Sequence, residues 1–138
     1  GDNIRDWLYV GDHCSAIRTV FEKGTAGQTY NIGGNNEQTN LDLVKQLCHS
    51  LDQIQPRDDG KSYKEQITFV EDRPGHDQRY AIDASKIKNE LGWKPKENSE
   101  TGFQQTIQWY LDNQDWWESI LSGDYQLERL GLDQKGAV

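Results

Sequence analysis

Apolar positions along this chain fall into short compact runs and longer spaced stripes, and the two spacings predict alternating strands and helices. Ile4–Val10, rich in branched and aromatic residues, predicts a strand. Ala16, Ile17, Val20 and Phe21 recur at i, i+1, i+4 and i+5, which predicts a helix capped by Asp12 and closed by Lys23-Gly24. Thr29–Ile32 predicts a second strand ended by Gly33-Gly34, with a polar loop from Asn35 to Thr39. Leu41, Val44, Leu47, Cys48, Leu51 and Ile54 trace the stripe of a second helix, and Thr39-x-x-Asp42 is close to a capping box at its start. Ile67–Val70 predicts a third strand and Tyr80–Ile82 a further extended piece, separated by the polar stretch Glu71–Arg79. Asp83 is expected to cap a short helix from Ala84 to Leu91, stopped by Gly92. Phe103, Ile107, Tyr110 and Leu111 mark a last long helix beginning near Ser99 or Thr101, which Trp116 and Trp117 extend or follow with a new turn. The glycine-punctuated tail, residues 122–138, is expected to be flexible. The class is α/β, mixed α+β, helix-rich with a few short strands.

Length and charge narrow the picture. At 138 residues the chain has room for roughly one domain. Fifteen Lys+Arg against 23 Asp+Glu give a net charge of −8, which argues against a nucleic-acid partner, since that would need a basic face. Apolar runs are too short and too broken by charge for a membrane span. Cys14 and Cys48 lie far apart and outside any Cys-x-x-Cys pair, as expected of reduced, part-buried thiols in a cytoplasmic protein. Five tryptophans and six tyrosines argue against disorder, while the low mean hydropathy suits a folded chain that lacks part of its surroundings. Gly1-Asp2-Asn3 opens on turn chemistry and no methionine occurs anywhere, so the chain is expected to be one segment of a longer protein.

Most catalytic signatures are missing. No Gly-x-Ser-x-Gly elbow, His-Glu-x-x-His pair, Walker loop or EF-hand loop occurs. His13, His49 and His76 are not spaced as metal ligands, and Gly33-Gly34 does not complete a Gly-x-Gly-x-x-Gly. Glu71-Asp72-Arg73-Pro74-Gly75-His76-Asp77-Gln78-Arg79-Tyr80 stands apart. Its Pro74-Gly75 forces a tight bend that presents two arginines and a histidine from one loop. Together with Arg5, Arg73 and Arg79 form a positive island suited to a bidentate grip on a phosphate or carboxylate. The other reading of the same residues is an Arg–Asp network that merely holds the loop.

Four motifs occur in order: Arg5-Asp6-Trp7-Leu8-Tyr9-Val10-x-Asp12-His13, Thr29-Tyr30-Asn31-Ile32-Gly33-Gly34, Asp72-Arg73-Pro74-Gly75-His76-Asp77 and Leu91-Gly92-Trp93-Lys94-Pro95. Together they resemble the C-terminal part of the dTDP-glucose 4,6-dehydratase family of extended short-chain dehydrogenases/reductases, from about Ile4 to about Tyr125. The first two motifs are shared widely among nucleotide-sugar epimerases and dehydratases. The third, followed by Arg79-Tyr80-Ala81-Ile82-Asp83, is far narrower.

The resemblance implies that residues 1–138 are a C-terminal nucleotide-sugar-binding lobe whose partner is an N-terminal Rossmann domain outside this chain. It implies NAD, held by that other domain, with none expected here. It implies dTDP-glucose as substrate, oxidised at C4, dehydrated across C5–C6 and reduced at C6, in a homodimeric, cytoplasmic enzyme. A C4 ketone acidifies the C5 proton, so a carboxylate base and a carboxylic acid complete the elimination. No Gly-x-x-Gly-x-x-Gly, Tyr-x-x-x-Lys or Thr-Asp-Glu occurs, so no catalytic residue is assigned and the segment alone is expected to be inactive. Arg5 and Arg73 match the family's diphosphate contacts, and Asp72, Pro74, Gly75 and His76 match the rest of that nucleotide-contacting segment. Asn40 matches a nucleotide-contacting asparagine, with helix capping as its plain alternative. Arg79 ranks lower, being free to pair with Asp77 or Asp83. Beyond Tyr125, Gln-Leu-Glu-Arg-Leu-Gly-Leu departs from the aromatic-rich end that some members carry. Two other readings stay open: a lobe of a UDP-sugar 4-epimerase or other nucleotide-sugar dehydratase, and a non-enzymatic binding module.

Overall fold

Three residues, Ile4–Asp6, make up β1, and neighbours flank them on both edges. On one side β2, Glu37–Thr39, runs antiparallel with Ile4 opposite Thr39, Arg5 opposite Gln38 and Asp6 opposite Glu37. On the other, the chain around Arg79 bridges Ile4 in parallel: the Ile4 amide donates to the Gln78 carbonyl at 2.8 Å and the Tyr80 amide to the Ile4 carbonyl at 3.0 Å. The computed structural model describes residues 1–123, so the tail expected to be flexible lies, from residue 124 on, outside the described residues.

The strands differ from the hydrophobic reading, and the reason is partnership. The expected Ile4–Val10 strand stops at Asp6, because Leu8 turns into the core and Val10 already opens α1. Thr29–Ile32 forms no strand among the described residues. Tyr30 and Ile32 instead pack on the core, and the polar stretch expected to be loop supplies β2. Ile67–Val70 has no ladder partner either, and leaves Phe69 72% and Val70 70% exposed. Strand formation here follows an available edge rather than side-chain type.

The helices lie where the apolar stripes put them, but their caps shift and their buried faces rotate: Val44 and Ile54 of the expected second stripe are exposed, while Leu43, outside it, is buried. α1 (Val10–Lys23) is preceded by Tyr9, so Asp12 lies inside the first turn and does not cap it. The Asp12 side chain is 3% exposed and accepts the Lys96 amide at 3.1 Å and the Glu97 amide at 2.9 Å. It therefore fastens the start of α1 to the loop at Lys96 and Glu97. Of the expected α1 stripe, Ala16 is buried and Val20 packs against the core, while Ile17 and Phe21 face outward. α2 (Asn40–Ile54) is capped by Thr39, whose hydroxyl accepts the Asp42 amide at 3.0 Å and donates to the Asp42 carboxylate at 2.7 Å.

A 3-10 turn, Tyr63–Gln66, is pinned to α2 through Asp52, which accepts the Ser62 hydroxyl at 2.6 Å and the Tyr63 amide at 2.8 Å. α3 (Ser85–Leu91) begins two residues after Asp83, which accepts the Ser85 amide at 2.9 Å, and ends at Gly92 in the left-handed region, φ 70°. α4 (Ser99–Asp112) is capped by Asn98, not by Ser99 or Thr101; Asn98 and Thr101 form a reciprocal capping box. Trp116 and Trp117 belong to a separate helix, α5 (Gln114–Leu121), where Trp116 meets Trp109 edge to face at 5.2 Å.

The core is centred on Ala16, Ile87 and Trp93, with Leu8, Val20, Tyr30, Ile32, Ala84 and Leu91 packed against it. Trp93 satisfies its indole N–H on the Ser15 hydroxyl at 2.9 Å. Both cysteines are free, but Cys14 is exposed rather than part-buried, because it projects from the outer side of α1; Cys48 is buried under α2. The fold is thus mixed α/β and helix-rich, and none of its described helices is long and apolar enough to cross a membrane.

Candidate anion-binding site

β1 places Arg5 beside the loop that the sequence singled out. One terminal nitrogen of Arg5 donates to the Ile4 carbonyl at 2.6 Å. The other lies 2.7 Å from His76 Nε2 and donates to the Asp77 carbonyl at 2.9 Å. The guanidinium also stacks over the Tyr80 ring, 4.4 Å from its centroid. Tyr80 in turn donates its hydroxyl to the Asp77 carboxylate. That bond and the Asp77 charge push the Tyr80 phenol up, and partial burial adds to this, while Arg5 and Arg73 pull it the other way.

The Pro74-Gly75 turn, with Gly75 at φ 70°, folds the loop so that His76 reaches back to Asp72. His76 Nδ1 lies 2.7 Å from Asp72 Oδ1, which also accepts the Arg73 amide at 2.8 Å. The His76 hydrogen bond above all, opposed by partial desolvation and helped by the Arg73 amide, holds the Asp72 carboxyl below the usual carboxylate range. Asn3, buried at the start of β1, anchors the far side of the loop by donating to the Asp77 carbonyl at 3.3 Å.

The other expected residues separate. Arg73 is exposed, and among the described residues its side chain makes no hydrogen bond or ion pair. Pro74 and Gly75 serve as the turn. Asn40 sits in the first turn of α2, where its amide donates to the Asn3 carbonyl at 2.9 Å; the cap is Thr39, so the plain capping alternative for Asn40 does not hold. Arg79 pairs with neither Asp77 nor Asp83. Because it faces β2 across β1, it makes a two-pronged ion pair with Glu37 at 2.6 and 2.9 Å, holding that carboxyl below its usual range. Arg79 therefore leaves the expected positive island, while Arg73 stays on the exposed loop beside Arg5.

Sequence reasoning missed three contributors. Tyr80 forms the floor under Arg5. Asp6 accepts the amides of Gly34 at 2.8 Å, Asn35 at 3.3 Å and Asn36 at 2.7 Å. An open groove of about 1390 Å³, lined by Trp7, Tyr9, Ile82, Phe103 and Trp109 among others, includes none of the Arg5 cluster. The signal for Asp6 was its place in Arg5-Asp6, since strand neighbours face opposite ways.

A dinucleotide does not fit the glycine loop here. Gly33-Gly34 opens no helix, and the amides that would meet a pyrophosphate are already taken by Asp6. Nor do the described residues hold a cluster of three metal-ligating side chains.

Residues 1–106 match the family model described as GDP-mannose 4,6 dehydratase. A dTDP-glucose 4,6-dehydratase of Xanthomonas campestris pv. campestris is 57% identical over 131 residues, covering 95% of this chain and 37% of that protein. One of Shigella flexneri is 60% identical over 126 residues, covering 91% and 34%. The chain thus spans little more than a third of the length of these curated relatives. Among solved structures, a dTDP-glucose 4,6-dehydratase from Bacillus anthracis in complex with NAD superposes with a TM-score of 0.74 at 51% identity, over 87% of this chain and 35% of that one. DesIV, a dTDP-glucose 4,6-dehydratase from Streptomyces venezuelae with NAD and TYD bound, gives 0.76 at 38% identity, over 87% and 34%.

Proposed function

Since the chain belongs to the GDP-mannose 4,6-dehydratase family, we propose that it is the nucleotide-sugar-binding lobe of a dTDP-glucose 4,6-dehydratase. In this reading residues 1–138 form the C-terminal substrate-binding part of a longer, cytoplasmic, homodimeric protein. A Rossmann domain elsewhere in that protein would hold NAD, whose chemistry would be to accept the hydride lost at C4 and return it at C6. The whole protein converts dTDP-glucose to dTDP-4-dehydro-6-deoxyglucose. This lobe contributes binding and orientation of the nucleotide sugar and no proton or hydride transfer.

The observation that carries the reading is the gathering of Arg5 with His76, Asp77 and Tyr80 at one edge of β1, beside the loop that bears Arg73, in an otherwise acidic chain. A guanidinium held on β1 and a second arginine on the adjoining loop suit a diphosphate. Asp72, Pro74 and Gly75 shape that loop, and Asn40 stands beside it at the start of α2. The narrow run Asp72–Asp77 favours the dTDP-sugar over a UDP-sugar.

Titration of the full-length protein with dTDP and UDP tests this. Tighter binding of dTDP is expected, and a loss of about tenfold or more in its affinity on Arg73→Ala, the scale of one charge-assisted contact. A clear preference for UDP would overturn the choice of nucleotide, and unchanged affinity in the variant would leave Arg73 outside the site.

A further inference from the structure

Arginine offers only donors, so the 2.7 Å approach of its terminal nitrogen to His76 Nε2 requires that Nε2 be the accepting, unprotonated nitrogen. The proton of a neutral His76 must then sit on Nδ1, which is where Asp72 Oδ1 stands at 2.7 Å to receive it. Imidazole left to itself has no such constraint, and a proton on Nε2 would set two donors face to face at Arg5. We infer that Asp72 is a positioning residue: by holding the proton of His76 on Nδ1, it makes Nε2 the acceptor that seats the Arg5 guanidinium for an incoming diphosphate.

The inference deepens the nucleotide-binding reading above and rests on it for the identity of the ligand. The seat has three further sides. The Ile4 and Asp77 carbonyls accept two more Arg5 hydrogens at 2.6 and 2.9 Å, the Tyr80 ring lies beneath at 4.4 Å, and two of the five guanidinium hydrogens are left for a ligand. Each of these is an acceptor or a π-face regardless of protonation. His76 is the one wall that turns repulsive if its proton moves, which is why a carboxylate is needed behind it. Asp77 presents its carboxylate to Tyr80 rather than to the imidazole, so it does not compete for Nδ1, and the Arg73 amide donates to the same Asp72 Oδ1, helping to hold that oxygen in place. The Pro74-Gly75 bend fixes the four-residue return that brings Asp72 and His76 together.

The test uses the full-length protein with nitrogen-15-labelled histidine. Without ligand near neutral pH, the His76 ring nitrogens are expected to report Nδ1 protonated and Nε2 bare. In Asp72→Ala the Nε2-protonated form should gain population, and the Kd for dTDP should rise about tenfold, as expected for a misaligned charge-assisted contact. Asp72→Asn, whose amide oxygen still accepts from Nδ1, should restore the tautomer and recover most of the affinity. A wild-type His76 with its proton on Nε2, or an Asp72→Ala protein with tautomer and Kd both unchanged, would overturn the inference. If Asp72→Ala fails to fold, the wild-type tautomer and the Asp72→Asn comparison still decide it. Failure of the wild type to bind dTDP would instead overturn the nucleotide reading, while the ring nitrogens would still report whether Asp72 sets the tautomer.

Discussion

Arg5 and Asp6 are neighbours in β1, yet their side chains serve opposite faces: Arg5 joins His76, and Asp6 binds the amides of Gly34, Asn35 and Asn36. Period-two alternation turns one dipeptide into a member of the His76 cluster and a structural clamp. Asp6→Ala would strand amides that the carboxylate now serves. It is expected to cost about 2–3 kcal/mol in urea denaturation of the full-length protein, the scale of lost charged hydrogen bonds. Arg5→Ala should appear instead as a raised Kd for dTDP. Equal stability of the Asp6→Ala and wild-type proteins would show that water replaces the clamp.

Asp12 does for the α4 approach what Asp6 does for the glycine loop, but from deeper burial. Asp12→Ala leaves the Lys96 and Glu97 amides without their acceptor. Hydrogen exchange at these two amides is expected to accelerate, and global stability to fall by about 2–3 kcal/mol. Retained protection at both positions would remove Asp12 from this role.

Ile87 on α3 is fully buried between Ala16 and Trp93. In so small a core there is little to collapse into the space, so Ile87→Ala is expected to cost about 2–5 kcal/mol. Thermal and chemical denaturation would both register it, and a cost below that of a typical surface substitution would mean the core is organised elsewhere.

Glu37, Asp52, Asp72 and Asp83 all titrate below their ordinary values. Hydrogen bonds from Arg79, Ser62 with the Tyr63 amide, His76, and Ser85 are the respective leading causes. A carboxyl depressed by folding stabilises fully above its unfolded value, and that contribution is lost as pH falls through the folded value. The unfolded references are 4.5 for glutamate and 3.8 for aspartate. The urea midpoint should therefore hold from about pH 7 to about pH 5 and decline on further acidification. Asp52→Asn should make that decline shallower. A midpoint that instead fell between pH 7 and pH 5 would point to other groups.

Helices were legible in the sequence because their stripes and stops mark them regardless of distant partners: α1, α2 and α4 lie close to where Ala16, Cys48 and Ile107 place them and α3 ends at Gly92, although the buried Leu43 lay outside the expected α2 stripe. Strands were not, because three-residue strands carry almost no periodic signal, and β2 exists only through the edge β1 offers it. At the site, motif identity singled out Arg5, Arg73 and His76. What it could not reveal was direction: that Arg79 turns to Glu37, that Tyr80 lies beneath Arg5, and that Asp12 is a long-range clamp rather than a cap.

The position of β1 between two distant segments has a kinetic consequence. Its bonds close loops of 30 residues toward Asn36 and 71 toward His76, so much of the chain must be gathered before β1 gains anything. The helices, made of near neighbours, can form ahead of that closure. The Arg5–His76 cluster is thus expected among the late events of folding, and anything bound across it would act as a latch on a closure that the chain completes last.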